Sequence, residues 1–137
     1  MEHVRGRKDG QPSAQGAGTF TGRAMLDPVL AEPGIRVISV FFEPGGRTYW
    51  HSHAGGQVLL GTAGRGLVET RDGDRKVIEA GDAVWAPPGE VHWHGAAPGS
   101  FLAHTAISIG ETEWAEEVAD KRYRAVAERA EHAGQGD

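Results

Sequence analysis

The chain has 137 residues, no cysteine and a formal net charge of −5, which fits one domain and excludes disulfides, thiolate nucleophiles and Cys-held metals. The acidic balance also argues against a nucleic-acid partner, because that affinity is drawn from an excess of Lys and Arg. Gly (21) and Pro (7) make up about a fifth of the residues, against roughly 12% in average usage, a surplus that favours a turn-rich β fold over a helical bundle.

In chain order, residues 1–18 are Gly-rich and polar, with too little apolar surface to offset the entropy of ordering, so a flexible tail is expected there. Arg5, Arg7 and Lys8 are not followed by an apolar stretch, and no run of 18 apolar residues occurs. Neither a signal peptide nor a membrane span is therefore expected, and the cytoplasm is the expected location. Eight short apolar or β-branched runs follow, at 35–42, 48–53, 57–61, 66–71, 76–78, 83–86, 90–93 and 101–109. Their regular spacing predicts an all-β sandwich or barrel over residues 19–110. Glu43-Pro44-Gly45-Gly46 and Ala86-Pro87-Pro88-Gly89 supply turns in which Pro fixes φ, and Arg71-Asp72-Gly73-Asp74 is a hairpin signal. Residues 111–132 read as a helical segment, with Val118, Tyr123, Val126 and Ala130 near one face and either Thr112 or Asp120 as N-cap.

Five of the seven histidines (His51, His53, His92, His94 and His104) fall inside the β region. Residues two apart on a strand share a face, so His51 and His53 project together, as do His92 and His94. Gln57 opens the next strand after a short Gly turn and can add a carbonyl oxygen. Nitrogen and oxygen donors converging from several strands suit a divalent ion, with a position left open for chemistry. One His-x-His pair is weak evidence, whereas two pairs about forty residues apart, each after a Pro/Gly turn, are far more specific. Trp50 and Trp93 flank these histidines and so point to the opposite face, as packing residues.

This spacing resembles the cupin superfamily. Gly45, His51, His53, Gln57 and Gly64 stand at the spacing of the first cupin motif, and Gly81, Pro87, Gly89 and His92 at that of the second. Gln57 takes the place of the usual Glu, and Ala96 that of the usual Asn. The resemblance implies a single-domain cupin, a double-stranded β-helix or jelly-roll barrel, here with a C-terminal helix. It also implies His51, His53, Gln57 and His92 as metal ligands. More narrowly, residues 20–123 look like the small bacterial cupins labelled carboxymuconolactone-decarboxylase-like. Some of these are manganese-dependent hydroxynitrile lyases with a His-His-Gln-His metal set. That likeness implies one divalent ion, Mn²⁺ first, with Fe²⁺, Ni²⁺, Co²⁺ or Zn²⁺ as alternatives, and His104 as general base. Read from its strand alone, His104 alternates with Leu102, Ala106 and Ser108 and is equally a satisfied structural histidine; His94 reads as a rim group.

Three neutral imidazoles and a neutral amide leave the full charge on an ion, which favours lyase chemistry on a small hydroxy or carbonyl compound. Ile38, Val40, Thr48 and His94 are the expected substrate pocket. The competing classes are an O₂-using iron or manganese cupin and a non-catalytic metal or small-molecule binder. Outward-facing Trp50, Val58, Leu60 and Trp93 predict a homodimer through this sheet, unless a terminal segment folds over the same patch.

Overall fold

The computed structural model describes residues 1–6 and 12–135, with side chains through Ala130. Among the described residues the strands in chain order are β1 (Ala14–Gln15), β2 (Phe20–Thr21), β3 (Ala24–Glu32), β4 (Ile35–Phe42), β5 (Arg47–Thr48) and β6 (His51–His53). They continue as β7 (Gln57–Thr70), β8 (Arg75–Glu79), β9 (Ala83–Ala86), β10 (His92–Ala96), β11 (Leu102–Ile109) and β12 (Thr112–Trp114). A single helix, α1 (Asp120–Gln135), ends the described chain, and no helix is long and apolar enough to cross a membrane.

The curled sheet runs in the order β1-β3-β4-β11-β7-β10-β5-β2, so the expected all-β barrel is observed. Its hinge is β7, which belongs to both halves. Gln57 to Leu60 pair with β9 and, with Gly61 to Gly64, face β11, whereas Gly66 to Thr70 pair with β10. Glycine is required where the strand crosses over: a Cβ on Gly64 would sit 2.0 Å from the Phe101 carbonyl oxygen, and its φ of +76° is left-handed.

Alternation along these strands divides the apolar residues into two cores. Val40, Phe42, Leu59, Val68, Ile78, Leu102 and Ala106 fill the barrel. On the other face, Trp50, Leu67 and Trp93 pack under Val118 and the Tyr123, Val126 and Ala127 stripe of α1. Polar clamps fix that helix. Glu69 is wholly buried and accepts hydrogen bonds from Trp93 Nε1 (2.9 Å), Arg75 Nε (2.9 Å) and Arg122 Nε (3.0 Å). Burial alone raises its pKa, but the bonds from Arg122, Trp93 and Arg75 outweigh it and hold the carboxyl below its usual range. Arg47 donates to Val118 O (2.9 Å) and Asp120 Oδ1 (2.6 Å) and stacks on the Tyr123 ring.

Four expectations change. Regular pairing begins inside the expected tail, where Ala14 and Gln15 add to β3 opposite Leu26 and Met25; an edge strand bonds through its backbone and needs no apolar side chains. Residues 7–11 of that tail lie outside the described residues. Strand β3 escaped sequence reading because Pro28 interrupts it, and the sheet accommodates the proline at a register shift between Pro28 and Leu30. The helical segment is shorter than 111–132 at its start: of its two expected caps the helix begins at Asp120, because Thr112 to Trp114 pair with the histidine strand β6. Finally, the outward patch is smaller than expected: α1 covers Trp50 and Trp93, Val58 is half-buried, and of the four only Leu60 is exposed.

Candidate metal centre

Strands β6 and β10 run antiparallel with His51 opposite His92, and β7 begins at Gln57 on the barrel's inner side. The ring centroids of His51 and His92 are 4.5 Å apart, and those of His51 and His53 are 5.0 Å apart. One ring nitrogen from each of His51, His53 and His92 lies within 4.8 Å of the others, and all three residues are buried. These three are positioned to hold a metal ion.

The surroundings set the tautomers. His51 Nδ1 lies 2.8 Å from Tyr49 O, His92 Nδ1 lies 3.0 Å from Glu90 O, and His53 Nδ1 lies 2.9 Å from Thr112 Oγ1. A carbonyl oxygen only accepts, so Nδ1 of His51 and of His92 carries the proton, and each Nε2 keeps its lone pair, the arrangement of a metal-ligating imidazole. Gln57 is oriented the same way: its amide nitrogen donates to Ser108 Oγ (3.0 Å), leaving Oε1 2.9 Å from His92 Nε2. Two lone pairs then face each other across 2.9 Å, a conflict that a bound cation would relieve. His53 Nε2 is buried with no hydrogen-bond partner, and a bound metal ion would satisfy it. The donor set of His51, His53, His92 and Gln57 thus fits a divalent ion. Burial, reinforced by the other rings, pushes His51 well below its ordinary pKa; burial also lowers His92 and takes His53 down to about 4. At neutral pH the imidazoles are unprotonated, the form that binds metal.

The centre opens into a cavity of about 400 Å³, within the usual size range of small-molecule sites. Ile38, Val40, Thr48 and His94 all line it. His104 is not among its lining residues; it stands behind His94, with His104 Nε2 3.0 Å from His94 Nδ1. Both rings are buried beside Phe42, and His94 Nε2 and His104 Nδ1 have no hydrogen-bond partner. Burial pushes His104 down to about 4 and His94 well below its ordinary value.

Sequence reading missed Arg36, Phe20, Thr112 and Trp114. Arg36 had a signal, since it continues the Ile38 and Val40 alternation. Phe20 and Trp114 reach the cavity from short edge strands, and Trp114 packs its ring 4.7 Å from that of His51. Nothing local in the sequence marks Thr112 as the partner of His53.

Comparison with known proteins agrees with this geometry. The cupin domain model matches residues 39–107. An (R)-mandelonitrile lyase of Granulicella tundricola is 43% identical over 126 residues, covering 86% of this chain and 96% of the relative. Among solved structures, a cupin-like protein of Thermotoga maritima superposes with a TM-score of 0.82 at 37% identity, covering 89% of this chain and 98% of that one. The polyketide cyclase RemF of Streptomyces resistomycificus shares the fold alone, with a TM-score of 0.61 at 16% identity over 88% of this chain and 85% of its own. Both the histidine-lined barrel and the family match place this chain in the cupin family.

Proposed function

We propose that this cupin is a metal-dependent lyase that cleaves a small hydroxynitrile-type substrate, with one divalent ion, Mn²⁺ first, on His51, His53, Gln57 and His92. The observation that carries the reading is the opposed pair of lone pairs on His92 Nε2 and Gln57 Oε1, supported by 43% identity to a mandelonitrile lyase. Such an ion on four neutral ligands supplies Lewis acidity toward an alkoxide or carbonyl oxygen.

The protein's own groups handle the proton. His94 faces the cavity, so its Nε2 takes the hydroxyl proton of the cyanohydrin as the C–CN bond breaks. The products are an aldehyde and cyanide, and His94 returns the proton to cyanide to give HCN. For Nε2 to accept, His94 must carry its other proton on Nδ1 and donate it to His104 Nε2, 3.0 Å away. His104 thus acts through His94 as a positioning residue, orienting the ring and stabilising its charged form. Ile38, Val40 and Phe42 hold the apolar body of the substrate and exclude water.

Metal-loaded protein is expected to cleave mandelonitrile faster than the same concentration of free Mn²⁺; no excess rate would sink the lyase reading. Gln57→Glu should retain the metal but lower turnover, because a negative first ligand weakens stabilisation of the developing alkoxide. His94→Ala should also retain the metal and lose about 10²- to 10⁴-fold in kcat, the usual contribution of a positioned base. His104→Ala should do the same and shift the pH profile of kcat, which a purely structural role would not do.

We also propose a homodimer, through the outer face that α1 leaves open. Phe41, Leu60, Trp85, Phe101 and Ile109 are exposed there, with Phe41 and Phe101 stacked at 5.4 Å. That is more clustered apolar surface than a monomer usually leaves in water. Light scattering at micromolar concentration should give twice the 14.6 kDa chain mass, and a monomeric mass would overturn the proposal.

A further inference from the structure

Among the described residues Arg36 is the only charged side chain that lines the cavity. Strand alternation puts it there: Arg36 shares a face of β4 with Ile38, Val40 and Phe42, and it pairs with Ser108, the residue that holds the Gln57 amide. It also borders a second, outer depression with Glu32 and Glu111, so it stands at the cavity mouth. Its Nη2 donates to Thr112 Oγ1 at 3.4 Å, and that oxygen lies 2.9 Å from His53 Nδ1.

The guanidinium is therefore two hydrogen bonds from a histidine of the metal centre. No carboxylate of the described residues comes within ion-pair distance of it, Glu32 and Glu111 included. A cavity whose ligands are neutral and whose single charged wall group is positive carries a field that an anion completes. One long bond to a hydroxyl leaves most of the guanidinium fork free, and that fork matches a carboxylate in a bidentate pair. Phe20, Leu26, Ile38 and Trp114 would enclose a hydrocarbon body between the two polar ends.

We infer that the natural substrate also carries a carboxylate, which pairs with Arg36 at the mouth while the substrate's hydroxyl or carbonyl oxygen reaches the histidine centre. The inference rests on the metal-dependent reading given above and names the substrate class of the same site.

Calorimetric titration of the metal-loaded protein with mandelate and with 4-(hydroxymethyl)benzoate, each against its primary amide, tests it. At least one acid should bind about tenfold or more tightly than its amide. Arg36→Leu should remove that preference, Arg36→Lys should keep part of it, and both variants should hold a full equivalent of metal. Equal binding of acid and amide by the wild type overturns the inference. So does an undiminished preference in Arg36→Leu, which would mean that the metal alone takes the carboxylate. The readout is binding, so the two readings fail separately. Arg36-dependent acid binding without cyanohydrin cleavage removes the lyase chemistry and keeps the anion site, whereas cleavage without acid preference does the reverse.

Discussion

His92→Ala and His51→Ala are each expected to purify without metal, to lose at least about 10³-fold in activity, and to melt at a lower temperature than the metal-loaded wild type. The three histidines converge from two strands on one point, and each is fixed by a bond at Nδ1. Removing one ring therefore deletes one of the three nitrogen donors. The loss in stability has two parts. Ligand-linked stabilisation, about 4 kcal/mol when free metal exceeds Kd a thousandfold, disappears with binding. The backbone carbonyl of Glu90 or Tyr49 also loses its buried donor, at a cost of about 1–3 kcal/mol. Elemental analysis of protein purified without chelator checks the first part, and melts with and without EDTA check both. A variant that keeps a full equivalent of metal shows that the ligand set is wrong. A wild type whose melting ignores EDTA shows that the metal does not stabilise the fold.

The cluster of His51, His53 and His92 was legible because the signals behind it are local. Period-2 spacing places His51 with His53 on one strand face, and the Pro-Gly turn before His92 sets the start of the second strand. The same rule reaches Arg36 two residues before Ile38, and it went unread only because an arginine in a strand resembles an edge residue. What stayed hidden depends on contacts distant in sequence. Thr112 to Trp114 is an acceptable helix start until it meets β6, where Thr112 gains a bond to His53 and Trp114 a ring contact with His51. Trp50 and Trp93 do face away from the site, but no strand pattern tells whether a second copy or the chain's own helix covers them. The ion-pair clamps decide it: buried Arg47 with Asp120, and buried Glu69 with Arg122, tie α1 across that face. Likewise His94 and His104 lie on different strands, and only their pairing shows that one faces the cavity and the other stands behind it.

The metal-free protein is expected to lose stability steeply as the pH falls from about 6.5 toward 4. Five buried histidines have pKa values below the ordinary 6.5, burial being the leading cause in each: His51, His53, His92, His94 and His104. In the unfolded chain each ring takes a proton near pH 6.5, whereas the folded chain refuses it until lower pH. Between those values the unfolded state binds more protons, so stability rises with pH and falls on acidification. For His104, held near 4, the full shift corresponds to about 3 kcal/mol, a large fraction of the 5–15 kcal/mol typical of a domain. Glu69 adds its own acid loss, but only below the carboxylate range near 4.5, because its pKa is depressed from there. The fall between pH 6.5 and about 5 therefore belongs to the histidines. Urea unfolding of chelator-treated protein at pH 7.5, 6 and 5 should show a falling midpoint, with more than one proton taken up on unfolding. Metal and protons compete for the same Nε2 atoms, so Mn²⁺ should move the acid midpoint to lower pH. Stability that stays level from pH 7.5 to 5 without metal would mean that the rings gain protons inside the fold, and the neutral donor set on which the metal centre rests would be lost with it.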